Sequence, residues 1–186
     1  IRPVGSFLDN KRVVLVAAPH QSGKDEYLMI LIILALDVDV CYLSAKWTMR
    51  RIPNPFEKSK DIDDQGIKWP LGWLQEIIFR KFGAIPVDRK GNSGQYDSVI
   101  EELKKRDSFL LIVTPEGRFD ATRFRTSFLF IAKELNAEVM PVQIDYENEI
   151  FNILESFNIE GDTESVVKNL RLKFDGIKGK KSRFKA

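Results

Sequence analysis

The sequence predicts a single α/β domain with a mostly parallel central sheet flanked by helices. Three observations carry this. Short apolar runs of strand length recur at residues 12–18 (RVVLVAA), 84–87 (AIPV), 109–113 (FLLIV) and 138–144 (EVMPVQI). Between them lie longer segments with apolar residues at helical spacing. The two types alternate along the chain, as they do where crossover helices link parallel strands.

Taken in order, residues 12–18 are the first buried strand. A segment of helical length follows from Asp25 to Leu36, and VDVCYL (38–43) is a second strand. The stretch from Met49 to Lys68 mixes Pro, Asn, Asp and charge, and reads as a loop. Residues 69–82 predict a helix, with apolar residues at 71, 73, 74, 77, 78 and 82 and Pro70 tolerable in a first turn. After the strand at 84–87, residues 93–105 predict a polar helix that turns Val99, Ile100 and Leu103 inward. Beyond the strand at 109–113 come a helix at 127–135, the strand at 138–144, a strand at 150–157 and a capped helix at 162–174.

Size and composition bound what this fold can be. A chain of 186 residues, 44% hydrophobic and 30% charged, suits one globular domain (1–176) with a basic tail (177–186). A formal net charge of +2 gives no reason to expect nucleic acid as a partner. The single Cys41 has no internal disulfide partner and sits in an apolar run, as a buried thiol in a reducing compartment does. The most apolar run, Tyr27 to Leu36, falls short of the roughly 20 residues a membrane-spanning helix needs. With no secretory signal in view, a cytoplasmic protein that meets membranes only at their surface is expected.

Chemistry gathers in the turns that follow strands. Pro19-His20-Gln21-Ser22-Gly23-Lys24-Asp25 leaves the first strand and opens a helix, and His20 is the only histidine. Histidine transfers protons near neutrality, and a carboxylate five residues on can hold one ring nitrogen while the other takes a hydroxyl proton. A plainer reading makes His20 a polar loop residue and Ser22 with Asp25 a helix cap. A third makes Gly23-Lys24 a degenerate phosphate loop, although Ala18 stands where its first glycine belongs and Asp25 replaces the Ser or Thr. Further on, Gly83 to Arg89 ends a short strand in a guanidinium suited to an anion. Thr114-Pro115-Glu116-Gly117-Arg118 makes a sharp turn after a buried strand, and Pro141 interrupts an apolar strand.

In order and spacing these four segments resemble the lysophosphatidic acid, or glycerolipid, acyltransferase family. His20 and Asp25 match its His, four residues, Asp motif. Gly83 and Arg89 match its strand-ending Gly…Arg, while Pro115, Glu116 and Gly117 match its Pro-Glu-Gly-Thr-Arg, and Pro141 its strand proline. The resemblance spans about residues 13–175 and is nearest to short bacterial members, with a SAKW-like segment at 44–47, the IPVDR run at 85–89 and Gly161-Asp162…Glu164. One departure is that Arg118-Phe119-Asp120 stands where the family has Thr-Arg; a one-residue deletion would make Arg118 the family's arginine.

The resemblance implies a glycerolipid-acyltransferase-like fold and an O-acyltransferase acting in phospholipid biosynthesis. An acyl thioester of coenzyme A or acyl carrier protein is the implied co-substrate and a lysophosphatidate-like lipid the acceptor, with no metal and no other cofactor. His20 and Asp25 are the implied catalytic pair, and Lys46, Arg89, Glu116, Gly117 and Arg118 the implied substrate-binding residues. The alternatives left open are a catalytically silent lipid-binding module on the same fold and the phosphate-loop nucleotide enzyme. For the membrane surface, the candidates are Trp47, Trp69 and Trp73, the basic groups Arg50, Arg51, Lys58 and Lys60, and the basic tail. Tryptophans at helical spacing are also what a buried helix face shows.

Overall fold

The structure is a computed structural model, and it describes residues 11–21, 25, 40–52, 66–87, 96–116 and 124–181. The protein is α/β, with six strands in a mostly parallel sheet. The chain forms two compact units, one of Ile1–Asp39 with Asp107–Ala186 and one of Val40–Arg106.

The first unit is built on β1 (Arg12–Ala18), β6 (Phe109–Val113), β7 (Glu138–Asp145) and β8 (Ile150–Ile153), side by side in the order β6-β1-β7-β8. β1 pairs in parallel with both β6 and β7, while β8 returns antiparallel on β7. Flanked on both sides, β1 is buried from Val13 to Ala18, and β6 is buried along its whole length. That is why both read as unbroken apolar runs rather than alternating ones. Helices α3 (Ser127–Glu134) and α4 (Thr163–Phe174) belong to this unit. α4 starts where predicted, with the Asp162 carboxylate accepting the Ser165 N–H at 2.9 Å as its cap. It closes on the fully buried Leu170 and Phe174.

Pro141 falls within β7 in register with Val16 of β1, one residue before the β8 ladder begins at Val142. Its carbonyl accepts the Leu154 N–H at 2.9 Å, and it lies between the Val139–Phe157 bridge and the ladder that starts at Val142, so the missing donor falls in a break in the pairing.

The second unit holds β2 (Val40–Ala45), a 3-10 turn at Lys46–Met49, the two-residue strands β3 (Arg51–Ile52) and β4 (Ile67–Lys68), α1 (Gly72–Lys81), β5 (Ala84–Val87) and α2 (Asp97–Lys104). β2 and β5 pair in parallel, and β3 with β4 antiparallel. α2 buries Val99, Ile100 and Leu103, the three residues its periodicity selects. β2 continues to Ala45, two residues past the predicted end, because Ser44 and Ala45 pair with Pro86 and Val87. The helix predicted from Asp25 lies outside the described residues apart from Asp25 itself, and so does most of the 49–68 stretch, whose two ends are the β3–β4 pair.

α1 departs from what its apolar spacing suggests. Of its residues only Gly72 is buried, and Trp73, Leu74, Ile77 and Ile78 are exposed, with Leu71 and Phe82 at its ends likewise. The polar side instead faces the unit. Gln75 donates to the carbonyls of Thr48 (2.7 Å) and Arg51 (3.1 Å) and accepts from the Trp69 indole at 2.7 Å. Glu76 pairs with Arg50 and, at 3.0 Å, with Arg80. The Arg50 hydrogen bond first, then that of Arg80, holds the Glu76 carboxyl below the usual carboxylate range. Spacing alone finds an amphipathic helix but does not say which side meets protein, and here the amphipathicity is inverted.

Candidate functional site

Because β6, β1 and β7 are neighbours running in parallel, the turns that follow them emerge at the same edge of the first unit. His20 lies two residues past β1, Glu116 three past β6 and Tyr146 one past β7. In parallel sheets this carboxyl edge is where ligand crevices form.

Past β1 the Ala18–Pro19 bond is cis, and the Asp25 carboxylate faces the His20 ring. Asp25 Oδ2 stands 3.3 Å from His20 Nδ1, an ion-pair approach rather than an aligned hydrogen bond. The same oxygen accepts the Gln21 N–H at 2.9 Å, and Oδ1 accepts the Tyr146 hydroxyl. Asp25 is 0% exposed and His20 7%. A carboxylate so deeply placed is held by donors rather than by water. With Nδ1 turned to Asp25, Nε2 is the ring nitrogen left to exchange a proton.

Glu116 is 4% exposed, and its Oε1 accepts the backbone N–H of His20 at 3.3 Å. Its Oε2 is buried with no hydrogen-bond partner among the described residues. Next to it the Pro115 carbonyl accepts the Arg125 N–H at 2.8 Å. Burial pushes the Glu116 carboxyl above its ordinary range, against the lowering effect of the backbone N–H groups and of His20. The folded protein therefore holds this proton more tightly than the unfolded chain does. Stability should fall as pH rises from the ordinary carboxylate range through the raised value. Melting temperatures of wild type and Glu116→Gln across that range test this: the variant should lose that part of the pH dependence, and an unchanged slope would mean another group carries it.

No protein-family model, curated protein or solved structure matches the chain.

Of the residues singled out in the sequence, the structure brings His20, Asp25 and Glu116 together. Lys46 is exposed at the start of the 3-10 turn after β2, in the second unit. Arg89, Gly117 and Arg118 lie outside the described residues, as do Lys58, Lys60 and the end of the basic tail. Gly83 has a local task of its own. It adopts φ +83° in the turn between α1 and β5, and its carbonyl accepts the Tyr42 N–H at 3.0 Å. Trp69 is engaged within its unit through Gln75, whereas Trp73 points outward with 57% exposure. Sequence reasoning missed Tyr146, which stands 121 positions from the carboxylate it touches. Among the described residues no group of His, Cys, Asp or Glu is arranged to hold a metal ion.

Proposed function

We propose that this protein is an O-acyltransferase that moves a fatty acyl group from a coenzyme A or acyl carrier protein thioester onto the hydroxyl of a lysophosphatidate-like lipid. The observation that supports it most is the contact of His20 Nδ1 with a fully buried Asp25 at the carboxyl end of β1. A histidine held in this way is a ready general base.

In this reading His20 Nε2 takes the proton of the acceptor hydroxyl as that oxygen attacks the thioester carbonyl carbon. The tetrahedral oxyanion, met by backbone N–H donors at these turns, collapses and the C–S bond breaks. The imidazolium returns its proton to the departing thiolate. Asp25 keeps the ring in the Nδ1–H form and stabilises the imidazolium. Glu116 Oε2, buried beside His20 and lacking a protein donor among the described residues, suits a substrate hydroxyl. Arg118, which follows Glu116 in sequence, is proposed to hold the anionic head of the acceptor. Incorporation of a labelled acyl chain into lipid, across a panel of lyso-lipid acceptors and both thioester carriers, tests the assignment. Product with none of the acceptors would favour the silent lipid-binding alternative.

A lipid acceptor calls for a membrane surface, and α1 supplies a face for one. Its exposed Trp73, Leu74, Ile77 and Ile78 are bordered by the exposed basic residues Lys68, Arg80 and Lys81, while its single acid, Glu76, is neutralised on the other side. Apolar and aromatic groups with basic neighbours are what anionic headgroups attract. No helix among the described residues is long and apolar enough to cross a membrane. Replacing Trp73 and Ile77 together by Glu should weaken sedimentation with vesicles containing anionic lipid by at least about tenfold, since each apolar side chain withdrawn from water contributes roughly 1.5–3 kcal/mol. Equal binding by the variant would rule out this face.

A further inference from the structure

We infer that Tyr146 is a positioning residue for the His20–Asp25 pair, acting through Asp25; this deepens the reading of His20 as a general base and rests on it. The Asp25 carboxylate is fully buried and engaged from two directions. Oδ2 takes the Gln21 N–H and faces the imidazole, and Oδ1 takes the Tyr146 hydroxyl. Gln21 belongs to the same turn as His20, so its N–H moves with that turn. Tyr146 comes from the end of β7 and fixes the carboxylate against a different strand. The second torsion of an aspartate is broad, so a donor from a separate strand narrows the swing of the carboxylate away from the ring.

Tyr146 is itself held. The Asp145 carboxylate accepts the N–H groups of Glu147 (2.9 Å) and Asn148 (3.2 Å), which closes the turn that carries Tyr146. The Tyr146 N–H donates to the Lys178 carbonyl at 2.8 Å. From Lys178 the chain runs back to the catalytic turn, where the Lys181 N–H donates to Gln21 Oε1 at 2.9 Å. Gly179 between them is buried, and a Cβ there would stand 2.6 Å from Gln21 Oε1 and 2.8 Å from the Pro19 ring. The backbone of residues 178–181 thus links two of the groups that donate to Asp25, while the side chains of Lys178, Lys180 and Lys181 stay exposed.

The competing account is that the hydroxyl only satisfies a buried oxygen. It predicts lost stability with unchanged chemistry, and the two are separable with Tyr146→Phe, which keeps the half-buried ring. Positioning predicts a drop in kcat of about tenfold at unchanged KM, in keeping with one hydrogen bond to a charged group. In an Asp25→Asn background that drop should vanish, because Tyr146 would have nothing left to act through. A readout independent of turnover is available because His20 is the only histidine. Nitrogen-15 NMR of its neutral ring should show a single Nδ1–H tautomer in the wild type and a mixture in Tyr146→Phe. Wild-type kcat, a loss that adds fully to that of Asp25→Asn, or an unchanged tautomer would each overturn the inference. If the wild type transferred no acyl group, the acyltransferase reading would fall while the NMR comparison still decided whether Tyr146 positions the pair.

Discussion

Replacing His20 by Ala should reduce kcat by about 10²–10⁴-fold, the share that a positioned general base contributes. Truncation removes the only imidazole in the chain, so no second histidine is at hand to take over. Asp25→Asn should cause a loss of similar order while the fold persists. The amide is nearly the same size, yet its NH2 group can turn toward Nδ1 and favour the wrong tautomer. Asp25 also sits fully buried against Tyr146 and Gln21, so melting curves should accompany the kinetics to keep a folding defect apart from a catalytic one. Transfer by His20→Ala at near wild-type rate would end the role given to this pair.

The largest expected effect on stability lies elsewhere, at Gly83. Its φ of +83° already disfavours any side chain, and a Cβ there would stand 2.0 Å from the Val40 carbonyl oxygen. That oxygen belongs to the backbone at the start of β2, so it cannot rotate aside as a flexible side chain would. Relief requires moving β2 away from the turn whose carbonyl binds the Tyr42 N–H, next to the β2–β5 ladder. Gly83→Ala should therefore destabilise by more than about 4 kcal/mol, in the range reached only by disruptive changes. Gly161 is the internal control. It has nearly the same φ, +82°, but nothing within 4 Å of the added carbon. Gly161→Ala should cost only the backbone strain, about 1–2 kcal/mol. Denaturant titration of both variants checks this, and equal losses would show that conformation alone, rather than the close approach to Val40, sets the demand for glycine at 83.

Much of the fold was legible because its inner strands are buried on both sides. RVVLVAA and FLLIV begin and end in the structure where their apolar runs do, and α4 begins just after the residue whose side chain caps it. The pairing of His20 with Asp25 was legible too, since five residues across a turn is a local relation. What escaped depends on tertiary placement. Tyr146 reaches Asp25 only because β7 lies beside β1, and a tyrosine after a strand carries no mark of that in the sequence. Glu116, by contrast, was expected at the site from its turn after a buried strand, and β6 as the other neighbour of β1 puts it beside His20. In α1 the periodicity was legible but left open which side meets protein, and Gln75 and Glu76 settle it by finding carbonyls and arginines on the side where apolar residues usually pack. The glycine at 83, noted for its motif, stands in the turn before β5 and is explained by backbone geometry without any appeal to substrate.

The most direct measurement is thiol release from an acyl thioester by wild type and His20→Ala, each with and without a lysophosphatidate-like acceptor on vesicles. The account predicts release that saturates with acceptor in the wild type, is matched by acyl chain appearing in the lipid, and drops by at least about a hundredfold in the variant. Release that ignores the acceptor, or that is the same in both proteins, would contradict it.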